Sequence, residues 1–467
     1  MAGGLKVLFK TGDELGLVFG ENDKLKIGDC LLVSDQEMQV VAQAYDLQYG
    51  GLRKVFTDLL GSLDGSDTEL AREINEKYGR QLSSFRLAKC KIRGTVKDGR
   101  FSPGLLKLPA DGASVKRLGE QEIVSLLGFE PKKPANIGKM QGSDLDFAID
   151  LASLQGVTLI TGRKGSGKSH LAKKLLEELL ANNAPAVVLD VNGEYASLKN
   201  LQNGRESGLA GGIVELVPGK NFFIPLDGIS FETFARMCQI EENHNAFRLF
   251  ARYWAENAGG KSLKDLKQWV ELSKSTPGSM NAALARIDYA ASLGVFGEFD
   301  FRHALEKARC GGAVVLNLFR QGEKVKELSI VYILRQLISA GLRDEGKIFL
   351  FAEEAQNYFE KEFWDDVITR MRHLGIYSVI ITNEPTTLPS MVFRQCDNLF
   401  TFNFSSDNDI AFVSNAQVID PQSLGIVKNL GVGQCIAIGK CTNNFPLLLH
   451  VSQTKGRAGG QTKLLWE

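Results

Sequence analysis

The chain has 467 residues, more than one ordinary domain holds, so two or three domains are expected. Lys and Arg together number 55, as do Asp and Glu; the formal charge is zero, which excludes a global basic field and leaves only a local patch for any nucleic-acid contact. Seven scattered cysteines without C-x2-C spacing argue against a disulfide framework and a zinc site. With no signal-like N-terminus and no apolar run near the roughly 18 residues of a membrane span, a cytoplasmic protein with no membrane contact is expected.

Residues 1–130 read as an N-terminal β-barrel-like domain, from the short runs Leu15-Gly-Leu-Val-Phe19, Asp29-Cys-Leu-Leu-Val33 and Met38-Gln-Val-Val-Ala42 between Gly and Asp turns. Charged helical sequence over 52–86 looks like an insert in it, before strand alternation resumes at Leu87. A Pro, Lys and Gly-rich stretch from Glu130 marks residues 131–150 as a linker. From Gly156 apolar strands alternate with helices, at Ala186–Asp190, Ala313–Leu318, Lys347–Ala352, Tyr377–Thr382 and Leu399–Asn403, which implies an α/β core with a largely parallel sheet over 151–228 and 311–452. A mostly helical insertion over 229–310 interrupts it, and 453–467 form a polar tail that could brace a neighbouring subunit.

The chemistry concentrates at Gly162-Arg163-Lys164-Gly165-Ser166-Gly167-Lys168-Ser169, which fits the phosphate-loop pattern G-x4-G-K-[ST] between an apolar strand and a helix opening at His170. Glycines let successive N–H groups turn onto a polyphosphate, Lys168 adds a point charge at the β- and γ-phosphates, Ser169 can ligate Mg2+, and the helix N-terminus favours an anion. ATP with Mg2+ is the expected cofactor, and the loop residues through His170 are the expected nucleotide contacts. The apolar strand ending Glu353-Glu354-Ala355-Gln356 supplies two adjacent carboxylates, Glu353 for the metal and Glu354 as general base, unless the pair only caps a following helix. Thr382 and Asn383, at the exit of a later strand, are placed to sense the γ-phosphate or orient water, or form a plain turn. Asp190-Val-Asn-Gly193-Glu194-Tyr195 ends the second core strand, at the nucleotide or subunit-contact edge or as a simple glycine turn.

Phosphate loop, D-x-x-G-E-Y turn, strand ending Glu-Glu-Ala and T-[NQ]-x-P exit, in this order, resemble the HerA branch of the HerA/FtsK ATPases. Lys26-Ile-Gly-Asp29 in the front β-region and the closing Gly459-Gly460 follow the same family order, so the resemblance spans nearly the whole chain. It implies a RecA-like P-loop core behind a small barrel, ATP hydrolysis, and a homohexameric ring that moves on DNA without reading sequence. A nuclease or other effector partner is also implied, in DNA-end processing or antiphage defence. Two departures stand out: Asn383-Glu384-Pro385 replaces the usual Gln-Arg-Pro, and Leu154-Gln155-Gly156 lacks an arginine that many members place there. The arginine that a ring ATPase inserts from its neighbour is sought instead among Arg370, Arg372 and Arg394, each of which also reads as a surface or packing residue. Lys199, Arg205 and Lys220 are candidates for a DNA-facing loop surface, in a region where solvated cations collect anyway. The altered exit keeps open a nucleotide-gated scaffold with slow hydrolysis; a packaging or conjugation motor is the rival within the class.

Overall fold

The computed structural model describes residues 5–20, 23–49, 86–104, 107–110, 112–141, 144–256, 262–309, 311–343, 346–357, 364, 366–404, 406–415 and 419–457. The helical insert expected near 52–86 lies outside them up to residue 85, as do Gly459 and Gly460. Contacts divide the chain into two units, residues 1–153, 162–167 and 398–451, and residues 154–161, 168–397 and 452–467.

The first unit begins with β1 (Lys6–Thr11), β2 (Glu14–Phe19), β3 (Cys30–Ser34), β4 (Gln39–Tyr49), β5 (Arg86–Lys97), β6 (Arg100–Pro103) and β7 (Ser114–Arg117). They form an antiparallel sheet in the order β2-β1-β7-β3-β4-β5-β6, and pairing of β2 with β5 closes six of them into a barrel, with β6 extending from β5. Alternation in the strands turns Leu15, Leu17, Phe19, Val33, Val40, Ala42 and Cys90 into one buried core, as a closed sheet with an apolar interior requires. Helix α1 (Glu120–Leu127) follows; the Glu122 carboxylate accepts the Gly119 N–H at 2.9 Å at its start, and Gly128 ends it at φ 63°.

Residues 131–150, read as a linker, instead carry the antiparallel hairpin β8 (Pro134–Met140) and β9 (Asp146–Asp150). Proline and lysine mark only the strand's start, and the apolar positions Ala135, Ile137 and Met140 behind them are buried.

The second unit is built on β10 (Val157–Thr161), β11 (Ala186–Asp190), β12 (Ile213–Leu216), β13 (Ala313–Asn317), β14 (Ile348–Glu353) and β15 (Ile376–Thr382). All are parallel, in the order β12-β13-β11-β14-β15-β10. β10, β11 and β15 are buried along their whole length, which is why they read as continuous apolar runs. The short edge strand β12 escapes the sequence reading because Glu215 breaks its four residues. Helix α2 (Lys168–Ala181) packs on β10, β11 and β15.

Between β12 and β13 run α3 (Phe231–Met237), α4 (Phe247–Glu256), α5 (Leu263–Leu272), α6 (Pro277–Ser292) and α7 (Phe301–Arg309). Phe234 and Trp254 pack tilted at 4.9 Å inside this group, and Tyr253 meets Trp269 edge-on at 5.4 Å. Helix α7 packs on β11, β12 and β13, so it serves as the crossover into β13 rather than as part of the appended helices. Helix α8 (Glu323–Leu342) then leads to β14, and α9 (Ser390–Arg394) follows β15.

The chain returns to the first unit with β16 (Asn398–Thr401), α10 (Asp407–Asn415), α11 (Pro421–Val427), β17 (Gln434–Gly439) and β18 (Leu447–Val451). Within that unit β16-β17-β18-β8-β9 are antiparallel neighbours, so the parallel expectation holds for β10 to β15 and not for the final strands. A buried polar knot ties the barrel to these elements. Arg93 on β5, whose side chain is 5% exposed, donates to Asp420 Oδ2 and Ser423 Oγ, both at 2.6 Å, and to Gln43 Oε1 at 3.0 Å. Gln43 in turn donates to the carbonyls of Gly28 and Pro446. Arg93→Ala leaves Asp420 without its cation and should cost about 3–5 kcal/mol. Thermal and urea unfolding read this, and a loss under about 1 kcal/mol would mean that the knot is not a desolvated ion pair.

Candidate functional site

The parallel register brings three strand ends level at the carboxyl edge of the second unit's sheet. β15 lies between β10 and β14, with Thr161 beside Thr382 and Glu353 beside Ile381. Open α/β sheets collect ligands at this edge.

The phosphate loop leaves β10 there. Gly162, Gly165 and Gly167 have φ of 142°, 76° and 118°, conformations that disfavour any side chain. A Cβ on Gly162 would stand 2.6 Å from Phe402 Cβ, so the loop backbone is pressed against β16's exit, while around Gly165 there is open space. The Arg163 N–H donates to Asn403 O at 2.7 Å and the Gly433 N–H to Ser166 O at 2.8 Å, which fixes the loop from beneath. The Ser166 hydroxyl is buried with no hydrogen-bond partner, and Arg163, Lys164 and Gly165 are exposed. A fixed glycine loop with an open face and an unsatisfied buried hydroxyl suits a polyphosphate ligand.

Lys168 opens α2 and is only 6% exposed. Burial pulls its ammonium down to about 8, against the opposing pull of Glu354 and Glu353. Glu353, 1% exposed, is pushed up to about 7, chiefly by burial. The neighbouring Ser169 hydroxyl works the other way, while Asp190 and Glu194 raise it further. Ser169 and Glu353 thus form a hydroxyl-carboxylate pair such as holds Mg2+ together with phosphate oxygens and water. Among the described residues no three His, Cys, Asp or Glu side chains gather into a metal site.

Glu354 stands at φ 50°, a left-handed backbone costing a non-glycine residue roughly 1–2 kcal/mol. The turn Ala355–Asn357 follows it, with the Asn357 N–H on Glu354 O at 3.0 Å. Gln356 Nε2 donates to Glu354 Oε2 at 2.7 Å and to Asn383 Oδ1 at 3.3 Å, so the exits of β14 and β15 are joined through one amide. Thr382 is buried, and its hydroxyl accepts the Glu384 N–H at 3.0 Å, shaping the exit.

Asp190 builds the neighbouring turn. Its carboxylate accepts the N–H groups of Gly193, Glu194 and Tyr195 at 2.8, 3.1 and 2.9 Å, while Gly193 takes φ 71° against Phe319. Burial pushes Asp190 up, and these donors offset that in part. The turn presents Glu194 to Lys173 Nζ at 2.5 Å, and this lysine is 2% exposed on α2. Lys173 lies four residues after Ser169 and therefore on the same helix face, a position beyond the phosphate-loop pattern itself.

Other expected residues are elsewhere. The His170 ring is 3.0 Å from Ser452 O, which places it against the tail segment. Glu177 on the same helix accepts the Gly456 and Lys455 N–H groups at 2.9 and 3.2 Å, so residues 452–456 pack on α2 of their own chain. Arg370 and Arg372 precede β15 and so stand at the opposite edge of the sheet from Lys168 and Glu353. Arg372 lies 3.4 Å from Asp397, whose carboxylate accepts the Val157 N–H at 2.9 Å, which ties it to the starts of the strands. Arg394 is exposed at the end of α9. Lys199 is half-buried, and Arg205 and Lys220 are exposed. Among the described residues no helix is long and apolar enough to cross a membrane.

Residues 135–336 match the family model described as Helicase HerA, central domain. The DNA double-strand break repair helicase HerA of Sulfurisphaera tokodaii is 22% identical over 444 residues, covering 86% of this chain and 85% of the relative. A probable helicase, MJ1565, of Methanocaldococcus jannaschii is 22% identical over 493 residues, covering 95% and 90%. Among solved structures, VirB4 of Thermoanaerobacter pseudethanolicus superposes with a TM-score of 0.53 at 12% identity, over 70% of this chain and 98% of that one. The plasmid coupling protein TrwB in complex with ADP and Mg2+ gives 0.51 at 14% identity, over 74% and 94%. The structural likenesses establish the fold of the parallel α/β core as RecA-like.

The two shifted groups set a pH window. A raised carboxyl favours the native state below its unfolded value and loses that advantage as pH rises through about 7; a lowered ammonium favours it at high pH and loses that as pH falls through about 8. Both costs therefore stand in full between those values, where Mg2+ on Glu353 and phosphate on Lys168 would relieve them. Binding of MgATP should release protons at about pH 6, take them up at about pH 9, and be tightest between. Calorimetry in buffers of different ionisation heat measures this; proton exchange of one sign throughout would contradict the assignment.

Proposed function

We propose that this chain, a HerA-type ATPase of the HerA/FtsK superfamily, hydrolyses ATP to drive movement along DNA as a homohexameric ring. The observation that carries the reading is the burial of Lys168, directly after the glycine loop in the chain, and of Glu353 at one sheet edge, where a polyanion and a cation would offset the cost of burying their charges. In this reading the loop N–H groups and Lys168 hold the β- and γ-phosphates, while Ser169 and Glu353 hold Mg2+, which when bound neutralises phosphate charge. Glu354 takes a proton from water as the water oxygen bonds to the γ-phosphorus and the bond to the bridging oxygen breaks, leaving ADP and phosphate. Asn383 orients that water. A cation from the neighbouring subunit offsets charge on the departing group. Arg394 is its first candidate, since it is exposed and Arg372 is bound to Asp397; Arg370 is the second.

The DNA contacts are phosphate-directed and independent of sequence, with Lys199, Arg205 and Lys220 as lumen candidates. A nuclease or other effector acts with the ring, in DNA-end processing or antiphage defence. A second reading, a nucleotide-gated scaffold with slow turnover, is favoured by the acidic exit at Glu384, where other members carry a cation.

ATPase assays with and without double-stranded DNA at defined salt separate the two. The motor predicts strong stimulation that fades as salt rises, abolished by Lys168→Ala, and particles of six subunits by light scattering with an ATP analogue present. Rates unmoved by DNA select the scaffold, and monomers alone at micromolar concentration contradict both. Mixing adds a test of the trans cation: Arg394→Ala subunits should regain hydrolysis beside Lys168→Ala subunits, and an Arg394→Ala protein within about twofold of wild type would move the role elsewhere, far short of a finger's loss.

A further inference from the structure

The exit of β14 holds a polar side chain that the hydrolytic scheme above does not use. Gln356 faces two acceptors, Glu354 Oε2 at 2.7 Å and Asn383 Oδ1 at 3.3 Å, so its amide nitrogen is directed at both, and its own Oε1 is buried with no partner. A carboxylate that serves as base must present one oxygen to water in a fixed direction, and a strained backbone at that position must be held by its surroundings. Glu354 sits at a left-handed φ of 50°, next to a turn of three residues rather than inside a strand or long helix. The amide supplies this restraint, and it draws on β15, the strand that separates β14 from the phosphate-loop strand.

We propose that Gln356 is a positioning residue of the hydrolytic site, tying Asn383 at the exit of β15 to one oxygen of Glu354 and leaving the other oxygen to receive the proton from water. The inference rests on the ATPase reading above. It makes Asn383 act on water partly through the base, and it links a change at the β15 exit to the readiness of Glu354.

Two variants test it. Gln356→Leu removes the donor and the polarity; Gln356→Glu keeps the shape and replaces the donor by a second carboxylate facing Glu354. Both are expected to lower kcat by about 10- to 100-fold, the loss usual for groups that orient a reacting residue, with the KM for ATP and the Kd for ADP within about twofold of wild type. In nucleotide-free protein both should speed amide exchange over residues 382–388, because the two strand exits are no longer joined. Adding Gln356→Leu to Glu354→Gln should cost nothing further. Wild-type kcat in Gln356→Glu, or a rise in KM at constant kcat, overturns the proposal, and if the leucine variant does not fold the glutamate variant decides alone. Lys168→Ala and Glu354→Gln run alongside: if they too keep hydrolysis, the ATPase reading itself has failed, whereas their loss with both Gln356 variants intact removes only the positioning role.

Discussion

Burying Lys168 and Glu353 at the carboxyl edge of the parallel sheet is the constraint on which the rest of this site depends. Each group alone would be pushed toward its neutral form by burial, the lysine to about 8 and the glutamate to about 7. Glu354 and Glu353 oppose the lysine's shift only in part, and a polyanion with its cation would offset the rest. Such a site is poised for a charged ligand, and the fully buried parallel strands around it make the edge rigid enough to keep the charges where they are.

The residues around this pair also hold one another in place. Asp190 spends its acceptor capacity on three backbone N–H groups, so its work is to shape the turn that delivers Glu194 to Lys173. That pair fastens the turn after β11 to the helix that begins with Lys168. Farther along the same helix, Glu177 receives the tail at Lys455 and Gly456, so α2 is gripped by a turn near one end and by the tail farther on. The loop is fixed separately, through Asn403 and Gly433. A helix N-terminus used to bind phosphate gains from being immobile, because donors that are already placed need no reorganisation when charge arrives.

Much of this was legible in the sequence because it is local. The glycine spacing, the apolar strand before Gly162, the leucines after Ser169 and the strand ending in Glu353 each state their own conformation, and β10, β11, β13, β14 and β15 appear where continuous apolar runs predict them. What stayed hidden is non-local or unpatterned. The hairpin Pro134–Asp150 begins with the residues that usually announce a linker, and its pairing with β18 joins segments about 300 residues apart. The partners of Arg93 at Asp420 and Ser423 are equally remote. The tie from Gln356 to Asn383 crosses 27 positions and has no periodicity to betray it. The register confirms that strand exits share one edge, and it puts Arg370 and Arg372, which precede β15, at the far side of the sheet from Glu353 of their own chain.

The central claim is that two adjacent glutamates do different work, the buried Glu353 for the metal and the left-handed Glu354 for the proton. Measuring ATP affinity with Mg2+ present, together with single-turnover hydrolysis, in Glu353→Gln and Glu354→Gln tests it directly. Glu354→Gln should bind ATP within about twofold of wild type and lose hydrolysis by about 100-fold or more, while Glu353→Gln should lose the Mg2+-dependent part of the affinity. Tight, unhydrolysed ATP in Glu353→Gln beside near-normal turnover in Glu354→Gln would contradict the account.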